Sequence, residues 1–178
     1  MYDWNFAAVL SEQARALWSA GIIITLALTA LALLFGTVLG LAWGGAVSSM
    51  RGPWAYGAVR SRRGGALSIM ASSLALLSDV VRSVPLLIFI VAIYYLMPVA
   101  ISGWEDIPVI RIGPGRIDSS FWAVVVAMSV NLAAFVSDLV RSEVETFDKG
   151  QYYAAMTLGF TKRQAMRRIV LPSVFSAI

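Results

Sequence analysis

Between Ala16 and Met50 lie 35 consecutive residues without one Asp, Glu, Lys or Arg. At 1.5 Å per residue, about 20 apolar residues cross the hydrocarbon core of a bilayer. The run is long enough to span it with tilt or with an end lying in the interface, and a first membrane helix is predicted over residues 20–47. A cleaved signal peptide needs a basic start and a shorter apolar core of about 7–15 residues. Here Asp3 and Glu12 come before the run, and Arg15 is the one basic residue ahead of it. The rest of the chain agrees with a membrane protein. Of its 178 residues, 59% are hydrophobic and 13% charged, against about 25% charged in a soluble domain. A water-soluble chain of this length cannot bury so much apolar side chain.

Two further spans follow, over residues 85–101 and 120–140. The fold class expected is an all-α membrane protein with three transmembrane helices, part of a larger multi-span assembly. The loop from Ser48 to Gly65 holds Arg51, Arg60, Arg62 and Arg63 and no acid, and the tail from Arg141 to Ile178 holds six Lys and Arg. The loop from Ser102 to Ser119 carries two arginines against three acids. Basic residues gather on the cytoplasmic side, so the first loop and the tail are expected there, with residues 1–19 and the second loop outside. The first segment, through Leu17, reads either as a surface helix or as an unstructured terminus. Charges placed this way indicate a bilayer, not nucleic acid, as the partner of a net +4 chain.

There is no Cys and no His, so thiol nucleophiles, disulfides and the commonest general base are absent. No phosphate-binding Gly-x-x-x-x-Gly-Lys-Ser/Thr loop occurs either, and the chain is not expected to be an enzyme. The polar residues that interrupt the apolar pattern are few. Ser78-Asp79-Val80-Val81-Arg82-Ser83 and Ser137-Asp138-Leu139-Val140-Arg141-Ser142 echo each other. Each sets Asp and Arg three apart on one helix face at the end of a span. That spacing fits local neutralisation of a costly charge, and equally ends that face a pathway or partner. Pro85 is expected to kink the second span near its start. Asn131, the most polar residue inside the third span, fits either an interhelical hydrogen bond or a translocation path.

The tail carries the longest pattern. Gln151–Leu158 can form two helical turns, and Gly159 suits the residue that closes them. Thr161 with Gln164 three later is a capping box that restarts a helix, and Pro172 marks its end. The product is a helix–turn–helix over residues 141–172. Its small residues Ala154, Ala155 and Gly159 leave room for another surface, while the basic second helix also suits anionic lipid.

Three segments together resemble the transmembrane permease subunit of an ABC importer, in the polar amino-acid uptake branch. Asp79-x-x-Arg82-Ser83-Val84-Pro85-Leu86-Leu87 is similar to that branch's acid-x-x-Arg-Gly-Thr-Pro-Leu-Leu segment. Ala134-Phe135-Val136-Ser137-Asp138-Leu139-Val140-Arg141 is similar to its Ala-Tyr-x-x-Glu-x-x-Arg segment. Lys149-Gly150-Gln151 through Leu171-Pro172 resembles the "EAA" loop of importer permeases, with Tyr153 where the triplet has Glu, then Ala154 and Ala155. The resemblance implies a cytoplasmic ATPase-coupling loop that includes Gly150, Tyr153, Ala154, Ala155, Gly159, Leu171 and Pro172. It implies as partners ABC ATPase subunits that bind the ATP, an extracytoplasmic solute-binding protein, a second permease subunit and an amino-acid substrate, in a bacterial inner membrane. Family chains continue past the Leu-Pro pair with more spans, so this one is expected to be incomplete. The other class weighed, an ion-coupled secondary transporter or channel fragment, usually carries acids in mid-span, whereas Asp79 and Asp138 stand at span ends.

Overall fold

A computed structural model describes residues 11–51, 65–112, 114–170 and 172–173. Helix α1 runs unbroken over Glu12–Arg51, α2 over Gly65–Ser83 and α3 over Leu86–Ala100. A 3-10 turn at Trp104–Asp106 leads into strands β1, Ile110–Ile112, and β2, Gly115–Ile117. Helix α4 covers Ser119–Thr146, α5 Lys149–Thr157 and α6 Lys162–Ala165, which runs into a π turn at Met166–Val170. By length and composition, Glu12–Ser48 and Ser119–Val144 can each cross a membrane. A third crossing exists if the broken pair Ser72–Ser83 and Leu86–Ala100 counts as one.

Several boundaries differ from the sequence reading. α1 begins at Glu12, so residues 12–19 continue the first span and form no separate surface segment; residues 1–10 and most of the basic loop, 52–64, lie outside the described residues. The second span is not one kinked helix. Pro85 is the N-cap of α3, with φ −54° and ψ 133°. Its carbonyl accepts from Phe89 N–H, and its extended ψ separates the end of one helix at Ser83 from the start of the next at Leu86. The proline inside α3 is Pro98. The Gly/Pro-rich loop also holds a small antiparallel hairpin, the only strands among the described residues, pairing Ile110 with Ile117, Arg111 with Arg116 and Ile112 with Gly115.

The chain divides into two compact units. The first comprises residues 1–36 and 84–131. In it Asp118 caps α4 by accepting from the backbone N–H groups of Ser120 and Phe121 at 3.1 and 3.2 Å, satisfying donors the helix itself cannot. The hairpin's inner face lies against α1: a side chain at Gly115 would meet the Ile24 methyl.

The second unit comprises residues 37–83 and 132–178. Its seam is built from glycine. A Cβ added at Gly40 would stand 2.5 Å from Val136 Cβ and 2.9 Å from the Ala133 carbonyl; one at Gly44 would stand 2.7 Å from Val140 Cβ and 2.8 Å from the Ser137 carbonyl. Only hydrogen allows α1 and α4 this close, which is the close packing small residues permit between membrane helices. Gly40, Gly44 and Ser48 recur at every fourth position along this part of α1, and all three are buried. Beside the seam Val136, Val140 and Val144 form a cluster with Val170 from the tail, flanked by Leu41, Leu132 and Phe147.

Candidate functional site

The two echoing motifs meet in the second unit. Their helices are brought into register by the Ser78 and Ser137 hydroxyls, 3.2 Å apart and buried. Each hydroxyl also has its own helix's carbonyl within reach, Leu74 for Ser78 and Ala134 for Ser137. One turn on, the four charges close into a ring. Arg82 donates to Asp79 at 2.9 Å within α2 and to Asp138 at 2.5 Å on α4. Arg141 donates to Asp138 at 2.5 Å and lies 3.9 Å from Asp79. Every arginine thus faces both carboxylates, and the contact set is unchanged when the two motifs are exchanged. Local spacing joins only Asp79 to Arg82 and Asp138 to Arg141; the structure makes the four one network.

Its members are unequally shielded. The Asp79 side chain is 46% exposed, while those of Asp138, Arg82 and Arg141 are 27%, 28% and 21% exposed. Arg82 is the most constrained: its guanidinium carbon lies 5.9 Å from the centre of the Phe135 ring, a cation–π distance, and its Nε is buried without a hydrogen-bond partner among the described residues. Two positive and two negative charges cancel within the ring, so the network can rest near hydrocarbon without a net charge to solvate. Asn131 is buried in α4 but belongs to the first unit and is not among the joined residues.

The tail forms the second candidate site. Asp148 accepts from Gly150 N–H at 2.8 Å and starts α5. α5 ends in a Schellman turn: Phe160 N–H donates to the Ala155 carbonyl and Gly159 N–H to that of Met156, with Gly159 at φ +84°. That conformation is open to glycine and costly for residues with a Cβ. The capping box then forms as the spacing predicts, Thr161 N–H and Oγ1 both reaching Gln164 Oε1 at 2.9 Å, with Gln164 N–H returning to Thr161 Oγ1 at 3.3 Å.

The turn is held from beneath by Tyr152, Ala155 and Ala165, against which Phe147, Met156, Phe160 and Ile169 pack. Burial, with the adjacent Tyr153 contributing, pushes the Tyr152 phenol above its ordinary pKa. Ala155 is therefore a core residue and leaves no room for an outside surface. Tyr153 and Ala154 are exposed, and beyond Gly159 no atom of the described residues lies within 4 Å of an added Cβ. Pro172 is exposed; Leu171 lies outside the described residues. Sequence reasoning missed the glycine seam, although small residues at every fourth position were there to be seen.

The chain is similar to several transport proteins. It is 33% identical over 101 residues to the arginine transport system permease protein ArtQ of Bacillus subtilis (strain 168), covering 57% of this chain and 40% of that one. It is 28% identical over 159 residues to the L-cystine transport system permease protein TcyB of the same strain, covering 88% and 54% respectively. Against the glutamate/aspartate import permease protein GltK of Escherichia coli O6:H1 it is 27% identical over 182 residues, which cover all of this chain and 69% of that one. It thus spans about half the length of the first two. A solved structure described as an amino acid ABC transporter with histidines superposes with a TM-score of 0.66 at 26% identity, covering all of this chain and 68% of that one. Residues 63–178, which include both echoing motifs and the whole tail, match the binding-protein-dependent transport system inner membrane component family, and the chain belongs to that family.

Proposed function

We propose that this chain is a permease subunit of an ATP-driven importer, lining the path of an amino acid and doing no covalent chemistry itself. The observation that carries the reading is the tail's turn. In a member of this family, a glycine-closed helix, a Gly159 that no other described residue crowds and an exposed Ala154 form a surface that another protein can approach closely. A packed base of Tyr152, Ala155 and Ala165 makes that surface stiff enough to transmit a push as a rigid body. The partner that pushes is a cytoplasmic ATPase, which binds the ATP. An extracytoplasmic binding protein delivers the solute, and a second permease subunit completes the path. Amino acids are favoured as cargo because the relatives include permeases named for arginine, L-cystine and glutamate/aspartate. The excess of Lys and Arg in the first loop and tail supports a cytoplasmic tail and an external hairpin.

The test is Gly159→Val, with the chain co-expressed with its ATPase. No described residue crowds the new side chain, so its cost is the positive φ, about 1–2 kcal/mol. The spans are untouched, and the protein should still reach the membrane. ATPase co-purification and ATP-driven amino-acid uptake should both be lost, while Gly159→Asn, which tolerates positive φ, should retain part of each. Full co-purification and uptake in the Val variant would refute the coupling role.

A further inference from the structure

Beyond the turn, Thr161, Gln164, Arg167 and Arg168 line a cleft of about 590 Å³. Its chemistry is one-sided. Gln164 Oε1 and Thr161 Oγ1 are engaged with each other and with the backbone in the capping box, which leaves the Gln164 amide nitrogen as a donor. Arg167 and Arg168 are exposed and form no ion pair among the described residues. The groups left to bind a ligand are therefore all donors, and two carry positive charge. Planar guanidinium groups match the oxygens of phosphate. The two arginines also sit on the π turn Met166–Val170, a rare geometry that is frequent at functional sites.

Val170 gives the cleft its depth. It is fully buried against Val136, Val140 and Val144, which flank Asp138 and Arg141, where the charges of α4 begin. Two residues before Val170, Arg168 therefore stands close to the level at which the hydrocarbon ends and headgroups begin. From the donor-only lining, the paired arginines and this depth, we infer that the cleft is a phosphate-binding site, occupied by the headgroup of an anionic phospholipid. The site begins two residues beyond Gly159, and lipid binding by the chain alone does not depend on an ATPase docking at that turn.

Native mass spectrometry of the intact chain in detergent tests this, with short-chain phosphatidylglycerol, the zwitterionic phosphatidylcholine and inorganic phosphate as probes. The wild-type chain should hold phosphatidylglycerol about thirtyfold more tightly than the Arg167→Gln/Arg168→Gln double variant, the attraction expected of two arginines near an anionic headgroup. Phosphatidylcholine should bind both chains equally weakly. Arg111→Gln/Arg116→Gln removes the same charge from the hairpin and should leave binding unchanged. A phosphate site also requires inorganic phosphate to compete for the lipid. Phosphate that binds the wild-type chain as tightly as the lipid would support the phosphate site but assign it to a free anion. Equal phosphatidylglycerol binding by the tail variant and the wild type, or equal losses in the tail and hairpin variants, would overturn the site.

Discussion

Helix α3 and the α1–α4 seam of the second unit differ sharply in what they show of their partners. α3 is apolar from Leu86 to Ala100 apart from its two tyrosines, and no residue along it is buried; Leu87, Tyr95 and Val99 are among its most exposed side chains. The seam is far poorer in large side chains, yet its atoms approach so closely that Gly40 and Gly44 have no room for a methyl group. Lipid is as apolar as leucine, so hydrophobicity places a helix in a membrane without choosing its neighbour. Close backbone approach and paired polar groups make that choice.

Adding bulk to the seam should break this contrast most severely. Gly40→Val and Gly44→Val each drive a side chain into Val136 or Val140 and into a backbone carbonyl that cannot swing aside. Overpacking of this kind costs about 1–3 kcal/mol, and both at once should prevent accumulation in the membrane. Gly45→Val and Gly21→Val are matched controls on the same helix, with no atom of the described residues within 4 Å of the added Cβ. Thermal unfolding in detergent should separate the two pairs by several degrees. If all four behaved alike, helix propensity and not the seam would set the stability of α1.

The charge ring comes next. Asp138→Asn weakens the interactions with both Arg82 and Arg141 in a partly shielded site, a loss of about 1–2 kcal/mol for charge-assisted hydrogen bonds. Asp79→Asn should cost less, since Asp79 is the most exposed member. The ring also predicts which second changes can rescue. Were the pairs local, Arg141→Gln would restore an Asp138→Asn chain. In the ring, Arg82 remains without its Asp138 partner, so the rescue should be partial at best. A double-mutant cycle read from unfolding midpoints tests this; complete rescue by Arg141→Gln would return the motifs to two independent pairs.

This outcome marks how far the sequence could be read. An Asp and an Arg three apart declare their own contact, because helix geometry is local. That Asp138 also reaches Arg82, 56 residues away, depends on how α2 and α4 pack, and no local period encodes it. The tail was legible for the same local reason: Gly159 at positive φ and the Thr161–Gln164 box are turn chemistry written within a few residues. Ala155 shows the limit, since small size alone did not reveal that it is buried beneath the turn and Ala154 is not. Pro85 showed that the second span is interrupted, but not that the helix ends there and restarts at Leu86. The β-hairpin was hidden among Gly and Pro residues read simply as a loop, where each strand is too short for an alternating pattern to stand out.

A smaller effect should come from the buried hydroxyls. Ser78→Ala removes the contact with Ser137 and keeps the shape of the helix. Interhelical hydrogen bonds of this kind average about 0.6 kcal/mol, well below the expected effects of seam overpacking and loss of Asp138. Because Ser137 Oγ also has the Ala134 carbonyl within hydrogen-bonding distance, it is not left orphaned. The expected result is a small downward shift of the unfolding midpoint, with no further loss in Ser78→Ala/Ser137→Ala. Further loss in the double variant would mean that the Ser137 hydroxyl has a stabilising role beyond this pair.

The smallest effect, and the sharpest use of the comparison, belongs to α3. Leu87→Ala and Val99→Ala delete large side chains from a helix that buries none of them within this chain. A buried leucine truncated to alanine costs about 2–5 kcal/mol through lost contacts and the cavity left behind; neither term exists where the side chain touches only solvent or lipid. Both variants should unfold within about 0.5 kcal/mol of the parent when the chain is studied alone in detergent. The same measurement repeated with other subunits present then reports what covers the helix. A loss appearing only in the assembled state would identify Leu87 or Val99 as a subunit contact, whereas a loss already present in the isolated chain would show that α3 has a partner within it.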